Sequence, residues 1–251
     1  MRWGNWIHGL AISCSLLVGM PAWAQDPPLV VGVLPRRNVT DTVNAFAPLV
    51  EHLATQLGRR AVLEPAKDFD TFWQAVAAKR YDLVHFNQLH YIRGHRDYGY
   101  QVIVKNEEFG DSTITGAIVV HRDSTLDTVA QLKGKKIAFG GNRDAMIGYI
   151  VPTALLRRAG LKRGDYSEVF VKNPANAITM TYIGETEASG TGTLPWHASA
   201  LTGIDMGKVR VIAKSEPLPH LPWAVTREMP APLRQNIERL LTSLHRSDDG
   251  A

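Results

Sequence analysis

The sequence predicts an α/β fold built as two lobes with a ligand cleft between them. Apolar segments with the lengths of buried strands alternate with amphipathic helical segments, which is the pattern of largely parallel sheets covered by helices. The alternation occurs twice, once on each side of roughly residue 116. Polar and aromatic residues follow several predicted strands, where α/β folds bind ligands. We therefore predict a first lobe over 25–115, a second over 116–213, and a return to the first over 214–251.

The first group of elements begins with the continuous apolar run LVVGVL at residues 29–34, which has the composition of a buried strand. An amphipathic helix follows over 40–58, capped by Thr40 or Asp41 and ended by Gly58. The remaining predicted elements of this group are a strand at 61–64, an acid-started helix at 68–80, and strands at 81–86, 101–106 and 114–122.

The second group restarts with a short helix in STLDTVAQLKGKK, which Gly134 closes. A strand at 136–142 then runs into a Gly-Gly turn, and a helix at 145–160 ends at Gly160. The later predicted elements are a strand in YSEVFVKN, a helix in PANAITMTYIG, a short strand in TEASGTG, a helix in PWHASALTG and a strand at 208–215. The extended segment LPHLPWAVTREMP and the amphipathic helix APLRQNIERLLTSLHR complete the chain.

The N-terminus has the organisation of a secretory signal peptide. Arg2 supplies a positive charge, residues 10–20 form a short apolar run, and AWA at 22–24 is a small-x-small cleavage site. We predict cleavage after Ala24 and a periplasmic location, with an N-terminal core helix as the alternative. The only cysteine, Cys14, leaves with this segment, so the mature chain has no thiol for a disulfide, a nucleophile or a metal.

Composition excludes several classes of function. The formal net charge is only +4, and no run of lysine and arginine suits a nucleic-acid duplex. No later segment has the apolar length of a membrane span. We expect a monomer that takes a small molecule, with no cofactor, no metal and no nucleic acid.

The segment DLVHFNQLHY, residues 82–91, ends a predicted strand in histidines, amides and aromatic residues. His85 and His90 are five residues apart, which is not the spacing of a helical zinc motif, and no GxSxG elbow is present. Ligand contact is favoured over metal binding or catalysis, and hydrogen bonds from the histidines to loop backbone are the alternative. The candidate ligand residues of this segment are Phe86, Asn87, Gln88, His90 and Tyr91.

Two other loops carry candidate anion-binding groups. The loop GGNRD, with Asn142 and Arg143, precedes a predicted helix, whose free N–H groups attract anions. A simple turn in which Asp144 caps the helix is an equal alternative. In LPRRN, Arg36 and Arg37 follow the first strand and either reach an anionic ligand or extend into solvent.

Seven segments occur in a characteristic order over most of residues 29–245: VGVLP, FAPLVEHLATQLG, YDLVHFNQLHY, DSTLDTVAQLKGKKIAFG, GYIVPTALLRRAG, NAITMTYIGETEA and LPHLPWAV. This series resembles the periplasmic substrate-binding proteins of phosphate-, phosphite- and phosphonate-type ABC transporters. The resemblance implies a type-II periplasmic-binding-protein fold with two hinge crossings and no enzymatic activity. It also implies that an inner-membrane ABC permease recognises the closed form.

The sequence departs from this family at the segment that binds the oxyanion in family members. A Ser-Thr-Ser-Gly cluster is usual there, and this chain has Ala145, Met146 and Ile147 before Gly148. Each lost hydrogen bond is worth about 1–3 kcal/mol, so phosphonate binding by this cluster is expected to be much weaker. We keep Met146 as a candidate ligand contact.

The other site residues implied by the resemblance are partly retained. Residues around Thr115 replace the Tyr-x-Ser of the crossing strand, and Asn173 stands where the family has a histidine. Phe86 keeps the aromatic group of the first-lobe strand end, and Glu187 matches the ligand-binding acid. Family members usually continue beyond SLHRSDDGA with a further helix or two, so we expect either an early end or a truncated sequence.

These observations predict a solute-binding protein for a small, anion-leaning ligand such as a phosphonate, phosphite or phosphate, delivered to an ABC transporter. The alternative is a binding protein of the same fold that takes a different ligand and reports to a membrane histidine kinase. An exported enzyme would need a positioned base with a nucleophile or metal, and the sequence shows neither.

Overall fold

The computed structural model describes residues 26–36, 38–108, 110–192 and 203–246. The predicted signal peptide, Arg37 and nearly all of the predicted PWHASALTG helix lie outside the described residues. Within the described ranges, no helix combines the length and the apolar character needed to cross a membrane.

The first lobe is organised around a five-stranded mixed sheet with the strand order β2-β1-β3-β12-β4. Its strands are β1 (Leu29–Val33), β2 (Ala61–Pro65), β3 (Leu83–His85), β4 (Gln101–Lys105) and β12 (Pro222–Val225). Strand β1 pairs in parallel with β2 and β3, whereas β12 inserts antiparallel between β3 and β4. The chain therefore returns to the first sheet after building the second.

The second lobe is organised around another five-stranded sheet, in the order β10-β6-β9-β7-β8. Its strands are β6 (Gly116–His121), β7 (Lys136–Gly140), β8 (Ser167–Val171), β9 (Ala188–Gly192) and β10 (Val209–Lys214). Strands β8, β7 and β9 run parallel, and β6 and β10 add antiparallel pairs. The prediction of largely parallel sheets is thus correct for three neighbouring strands in each lobe and wrong for the others.

The two lobes are joined where the chain crosses between the sheets. Strand β5 (Thr113–Ile114) lies on the outgoing crossing and β11 (Leu218–Pro219) on the returning one. The two short strands pair antiparallel, so that Leu218 is opposite Ile114. This pairing holds the crossings side by side.

Six α-helices cover the sheets within the described residues: α1 (Val39–Leu57), α2 (Phe69–Ala77), α3 (Gln88–Tyr98), α4 (Val151–Arg158), α5 (Pro174–Tyr182) and α6 (Ala231–Ser243). The cap of α1 is Asn38, whose side-chain oxygen accepts from the N–H of Asp41 at 2.8 Å, and not Thr40 or Asp41 as predicted. Gly58 ends α1 in the left-handed conformation, as predicted, with φ 62°.

One helix was missed and two local predictions are wrong. The missed helix is α3, whose segment has few apolar residues and follows a short strand. The segment STLDTVAQLKGKK forms only a 3₁₀ turn, Val129–Leu132. The helix predicted from residue 145 begins instead with a π-helical turn, Met146–Ile150, and continues as α4.

Apolar residues fill both faces of each sheet. In the first lobe, one cluster packs Val31, Leu53 and Ile237 between the sheet and helices α1 and α6. On the other face, Phe72 and Phe86 pack together under helices α2 and α3. Burial of this apolar surface stabilises each lobe at about 25 cal/mol per Å². Each lobe therefore has its own core, and the space between them is left for a ligand.

Three backbone segments of the second lobe meet at unusually short range. A Cβ at Gly148, in the π-helical turn, would lie 1.9 Å from the carbonyl oxygen of Gly140 at the end of β7. A Cβ at Gly140 would lie 2.2 Å from the backbone nitrogen of Pro174 at the start of α5. Only glycine allows the strand end and the two helical segments to approach so closely.

Gly148→Ala is expected to lower the free energy of unfolding by about 3 kcal/mol or more, because the new methyl group meets backbone that cannot move aside. Gly58→Ala is the control, since that glycine has positive φ but no atom within 4 Å of an added Cβ. Its cost should be about 1 kcal/mol from backbone strain alone. Chemical denaturation measures both values, and equal losses would show that the contact at Gly148 is not tight.

Candidate functional site

A cavity of about 320 Å³ lies between the two lobes. The first lobe and its returning segment provide Leu34, Pro35, Arg36, Phe69, Asn87, Gln88, His220 and Leu221 to its wall, and the outgoing crossing provides Ile114. The second lobe provides Gly140, Gly141, Ala145, Met146, Ile147, Gly148, Lys172, Asn173 and Pro174. A small organic molecule fits a space of this size.

Two helices begin at the cavity wall, one from each lobe. Asn87 is the N-cap of α3 and Asn173 is the N-cap of α5, and both residues line the cavity. The first N–H groups of a helix have no partner within it, and the helix dipole places partial positive charge at this end. The arrangement favours an anion between the two helix ends.

Asn87 is fixed by three hydrogen bonds that involve both lobes. Its Oδ1 accepts from the N–H of His90 at 2.7 Å and lies 2.8 Å from Nδ1 of the same histidine. Its Nδ2 donates to the carbonyl oxygen of Asp144, in the second lobe, at 3.1 Å. Arg93 also approaches Asp144, with a 3.9 Å separation between Nη1 and Oδ1. The lobes therefore touch beside the cavity.

His90 packs under the cavity wall. It is buried, and its ring lies 5.4–6.1 Å from the rings of Phe69, Phe72 and Trp73, measured between centroids. Burial lowers its pKa to about 4, so the ring is neutral at pH 7. His90 thus orients Asn87, which is a positioning role and not the direct ligand contact that we predicted.

His85 is buried next to the cavity. Its ring stacks on Trp223, with 4.6 Å between centroids, and neither ring nitrogen has a partner of good hydrogen-bond geometry among the described residues, although the nearby Asn106 side chain acts to raise its pKa. It lines a small second pocket of about 30 Å³ that shares Leu34 and Arg36 with the main cavity. Burial lowers its pKa to about 3. The hydrogen bonds from His85 to loop backbone, which were the alternative interpretation, do not occur within the described part of the chain.

Gln88 and His220 are neighbours on the first-lobe side of the wall. The Nε2 of Gln88 donates to the carbonyl oxygen of Pro219 at 2.6 Å. The Nδ1 of His220 accepts from the N–H of Leu221 at 2.7 Å. Burial lowers the pKa of His220, partly opposed by Glu108, whose Oε2 lies 3.8 Å from its Nε2.

Among the residues that the structure describes, the charged ones on the wall are Arg36 and Lys172, both cations and one from each lobe. Arg36 follows β1, and its Nη1 lies 3.9 Å from Oε1 of Glu108. Lys172 follows β8 directly before the cap of α5. Two cations and two helix N-termini give the cavity a positive electrostatic potential.

Five of the predicted site residues line the cavity: Arg36, Asn87, Gln88, Met146 and Asn173. Others lie near it but form other contacts. Phe86 is wholly buried in the first-lobe core, and the hydroxyl oxygen of Tyr91 accepts from the N–H of Val102 at 3.3 Å. Thr115 is buried in the crossing between β5 and β6, and its neighbour Ile114 reaches the wall instead.

Arg143 and Asn142 do not reach the cavity. Arg143 donates to Glu168 at 2.6 Å and lies over the ring of Phe170, 4.9 Å from its centroid. The side chain of Asn142 accepts from the N–H of Asp144 at 3.0 Å within the turn. This segment therefore forms a turn, as in the alternative interpretation, although Ala145, not Asp144, caps the helical turn that follows.

Glu187 lies at the opposite end of the second sheet from the cavity. It precedes β9, and its Oε2 accepts from the N–H of Lys136, the first residue of β7, at 2.9 Å. The cavity is at the other end of β7, at Gly140. Glu187, which we predicted as a ligand-binding acid, is therefore not on the cavity wall, because it precedes a strand instead of following one.

Sequence reasoning missed Lys172 and His220. Lys172 was not singled out because the sequence contains many charged residues and the junction of strand and helix at this position has no distinctive motif. Its position was the available signal. Lys172 lies between a predicted strand and a helix that starts at Asn173 and Pro174, and α/β folds bind ligands at the carboxyl ends of parallel strands. His220 lies in a segment predicted only as extended. No group of three or more metal-ligating side chains occurs in the part of the chain that the structure describes.

The sequence matches one family model over residues 31–251, that of the ABC transporter, phosphonate, periplasmic substrate-binding protein. Several solved structures share the fold at low identity. A Xanthomonas citri protein bound to ATP has a TM-score of 0.75 at 18% identity, covering 88% of this chain and 84% of that one. PhnD1 from Prochlorococcus marinus in complex with methylphosphonate has a TM-score of 0.72 at 15% identity, covering 88% and 86%.

A binding-protein component of an ABC phosphonate transporter from Pseudomonas aeruginosa also matches. Its TM-score is 0.72 at 12% identity, covering 89% of this chain and 76% of that one. At these identities the structural likeness concerns the fold, and it confirms the predicted two-lobed α/β architecture.

His85→Phe is expected to raise the free energy of unfolding at pH 7 by about 1–3 kcal/mol, because it removes two buried polar atoms without partners and keeps the stacked ring. It should also flatten the pH dependence. The folded-state pKa is about 3 against 6.5 in the unfolded chain, so the wild type loses stability as pH falls from 6.5 towards 3.

His90→Phe is the matched control. It retains the aromatic packing but breaks the contact between Nδ1 and Asn87, so it should destabilise the protein at pH 7. Urea denaturation at several pH values measures both variants. A His85→Phe protein less stable than the wild type at pH 7 would show that the ring nitrogens have partners in solution.

Proposed function

The chain belongs to the periplasmic substrate-binding proteins of phosphonate ABC transporters, and from this premise we propose that it captures a small phosphonate-like anion by hinge closure and delivers it to a transporter. Proteins of this family bind their substrate without transforming it, and the chain is not an enzyme. The family is periplasmic. We propose that the segment 1–24 is a signal peptide removed after Ala24.

The observation that carries the proposal is the pair of cations on opposite lobes of one cavity. Arg36 belongs to the first lobe and Lys172 to the second, and both line the same space. An anion held between them interacts with both only when the lobes are together. Such a ligand binds the closed state more tightly than the open one, which is the requirement for ligand-driven closure.

The direct contacts between the lobes beside the cavity are weak, so the closed state needs the stabilisation that the anion provides. Arg93 and Asp144 are each about two-fifths exposed, and exposed ion pairs contribute about 0–1 kcal/mol. The hydrogen bond from Asn87 to Asp144 adds about 1 kcal/mol. We propose that the paired crossings β5 and β11 act as the hinge between lobes at 25–115 and 116–213, with 214–251 returning to the first.

The apolar part of the wall indicates an organic substituent on the anion. Ala145, Met146 and Ile147 line the second-lobe side, and Phe69 and Leu221 lie on the first-lobe side. Inorganic phosphate would leave this surface against water, whereas the alkyl group of an organophosphonate buries it at about 25 cal/mol per Å². We propose an organophosphonate as the ligand, held by Arg36, Lys172, Asn87, Gln88 and the N-terminus of α5 at Asn173, with Met146 against the substituent.

Thermal unfolding in the presence of phosphate, phosphite, sulfate and a series of alkylphosphonates tests the ligand class. A ligand at a hundred times its Kd stabilises the folded state by about 2.7 kcal/mol and raises the Tm. Alkylphosphonates should give the largest shifts. A Tm unmoved by millimolar concentrations of every compound would refute the assignment.

Delivery is tested separately, in the source organism. Removal of the gene should abolish uptake of the phosphonate that the protein binds. Unchanged uptake, together with an altered transcriptional response to that compound, would favour reporting to a membrane kinase, as a monomeric receptor of the same fold can do.

Lys172→Met and Arg36→Met should each weaken binding of an alkylphosphonate by about tenfold to a hundredfold, since a hydrogen bond to a charged group is worth about 1.5–3 kcal/mol. Arg143→Met is the control, because that arginine pairs with Glu168 away from the cavity. Titration calorimetry measures the three affinities. A Lys172→Met protein that binds as tightly as Arg143→Met would exclude Lys172 from the site.

A further inference from the structure

The charges that the described residues place on the cavity wall are all positive. Arg36 and Lys172 are cations, and the N-termini of α3 and α5, at Asn87 and Asn173, add partial positive charge. The other described residues of the wall are apolar or carry uncharged polar groups. A ligand in this cavity is therefore next to groups that attract an anion and repel a cation.

No carboxylate of the described residues balances these charges on the wall, because none of their aspartates and glutamates lines the cavity. The internal residues outside the described ranges, 37, 109 and 193–202, include no aspartate or glutamate in the sequence. A ligand ammonium would therefore have no counter-ion among the described wall side chains. Burying a charge without such a partner is costly.

Two carboxylates approach residues of the site without lining the cavity themselves. Glu108 lies with Oε1 3.9 Å from Nη1 of Arg36 and Oε2 3.8 Å from Nε2 of His220. Asp144 lies with Oδ1 3.9 Å from Nη1 of Arg93. Each of these carboxylates is already next to a basic side chain, so neither is an unpaired counter-ion for a ligand cation.

Met146 is a wall residue at which a carboxylate could be accommodated. It is the first residue of the π-helical turn, it is partly exposed, and it lies between Ala145 and Ile147 on the apolar second-lobe side of the wall. Glutamate has an unbranched side chain of similar length, and negative charge is favourable at the start of a helix. The methionine thus keeps this part of the wall uncharged where a glutamate would fit.

We propose that the cavity selects organophosphonates whose substituent carries no positive charge, and that Met146 determines this selectivity. This rests on the proposed function and deepens it by naming the class of substituent. The phosphonate interacts with Arg36 and Lys172, and its alkyl chain packs against Met146. An aminoalkyl chain places its ammonium in the same positive potential, where the described wall offers no carboxylate.

Propylphosphonate and 2-aminoethylphosphonate test this selectivity, because they have the same shape and differ only in the terminal methyl or ammonium group. A primary amine of this kind is protonated at pH 7. Titration calorimetry of the full chain at pH 7 should show that propylphosphonate binds about tenfold more tightly, or by a larger factor. Equal affinities, or tighter binding of the amine, would overturn the inference and leave the proposed function in place. Failure of both compounds and of other alkylphosphonates to bind would overturn the proposed function as well.

2-Hydroxyethylphosphonate separates the charge of the terminal group from its polarity. It has the shape of the other two compounds and a polar but uncharged end. Its affinity should lie between theirs, because it loses apolar contact and is not repelled by the cations. An affinity as low as that of 2-aminoethylphosphonate would show that polarity and not charge is discriminated, which would overturn the inference.

Two variants of Met146 test its role. Met146→Glu should lower the ratio of the affinities for propylphosphonate and 2-aminoethylphosphonate by about tenfold, because the new carboxylate pairs with the ammonium. Met146→Gln has the same shape without the charge and should change this ratio much less. Ile183→Glu is the control for net charge. Ile183 directly follows α5 at the end away from the cavity, is 59% exposed, and its substitution should leave both affinities unchanged.

Melting curves without ligand show which variants fold. A folded Met146→Glu protein with the wild-type ratio, or a Met146→Gln protein with an equally lowered ratio, would contradict the role of Met146. If Met146→Glu fails to fold, Phe69→Glu provides the test instead. Phe69 lines the first-lobe side of the cavity and is the first residue of α2, where an acid is favourable. This variant should lower the same ratio, and an unchanged ratio would contradict the proposed selectivity.

Discussion

The geometry of the site depends on Asn87, whose one side chain forms the N-terminus of a helix, fixes a buried histidine and joins the two lobes. The cap leaves the start of α3 at the cavity wall, and the contact with Asp144 brings the second lobe against it. Both amide atoms are engaged, because Oδ1 receives His90 and Nδ2 reaches across the lobes. Asn87 therefore sets the shape of the site more than it supplies recognition of the ligand.

The groups that favour an anion in the cavity include backbone as well as side chains. Two cations are present on the wall, and the helices α3 and α5 add the partial charges of their N-termini. Glu108, whose Oε1 lies 3.9 Å from Nη1 of Arg36, is not among the residues of the wall and also approaches His220. A cavity with this balance stabilises one anionic group while the apolar wall of the second lobe accommodates what is attached to it. The close packing of Gly140, Gly148 and Pro174 keeps that wall in place.

The sequence was sufficient for the strand–helix alternation, the two-lobed architecture and the strand end at which Asn87 and Gln88 lie, because these follow from apolar periodicity and local capping. The sequence was insufficient where the role of a residue depends on which end of a strand it occupies or on a partner that is distant in sequence. Glu187 was assigned to the end of a strand although it precedes β9, and Arg143 contacts Glu168 and Phe170, neither of which is near it in sequence. Lys172 and His220 line the same cavity only because the fold brings the end of β8 and the segment after β11 together. The π-helical turn at Met146 contains Gly148, which approaches Gly140 closely, and this contact between residues distant in sequence has no local pattern.

The loss of hydroxyl groups at residues 145–147 has a structural counterpart across the cavity. That side of the wall is apolar, whereas the polar atoms without partners, Oε1 of Gln88 and Nε2 of His220, belong to the first lobe and its returning segment. The second lobe contributes Lys172 and the N-terminus of α5 to the wall, and the first lobe contributes Arg36 and the N-terminus of α3. Under the proposed function, each lobe therefore supplies one cation and one helix end to the anion. An anion that interacts with both lobes binds the closed state more tightly than the open one, so the proposed closure follows from this division of the charges.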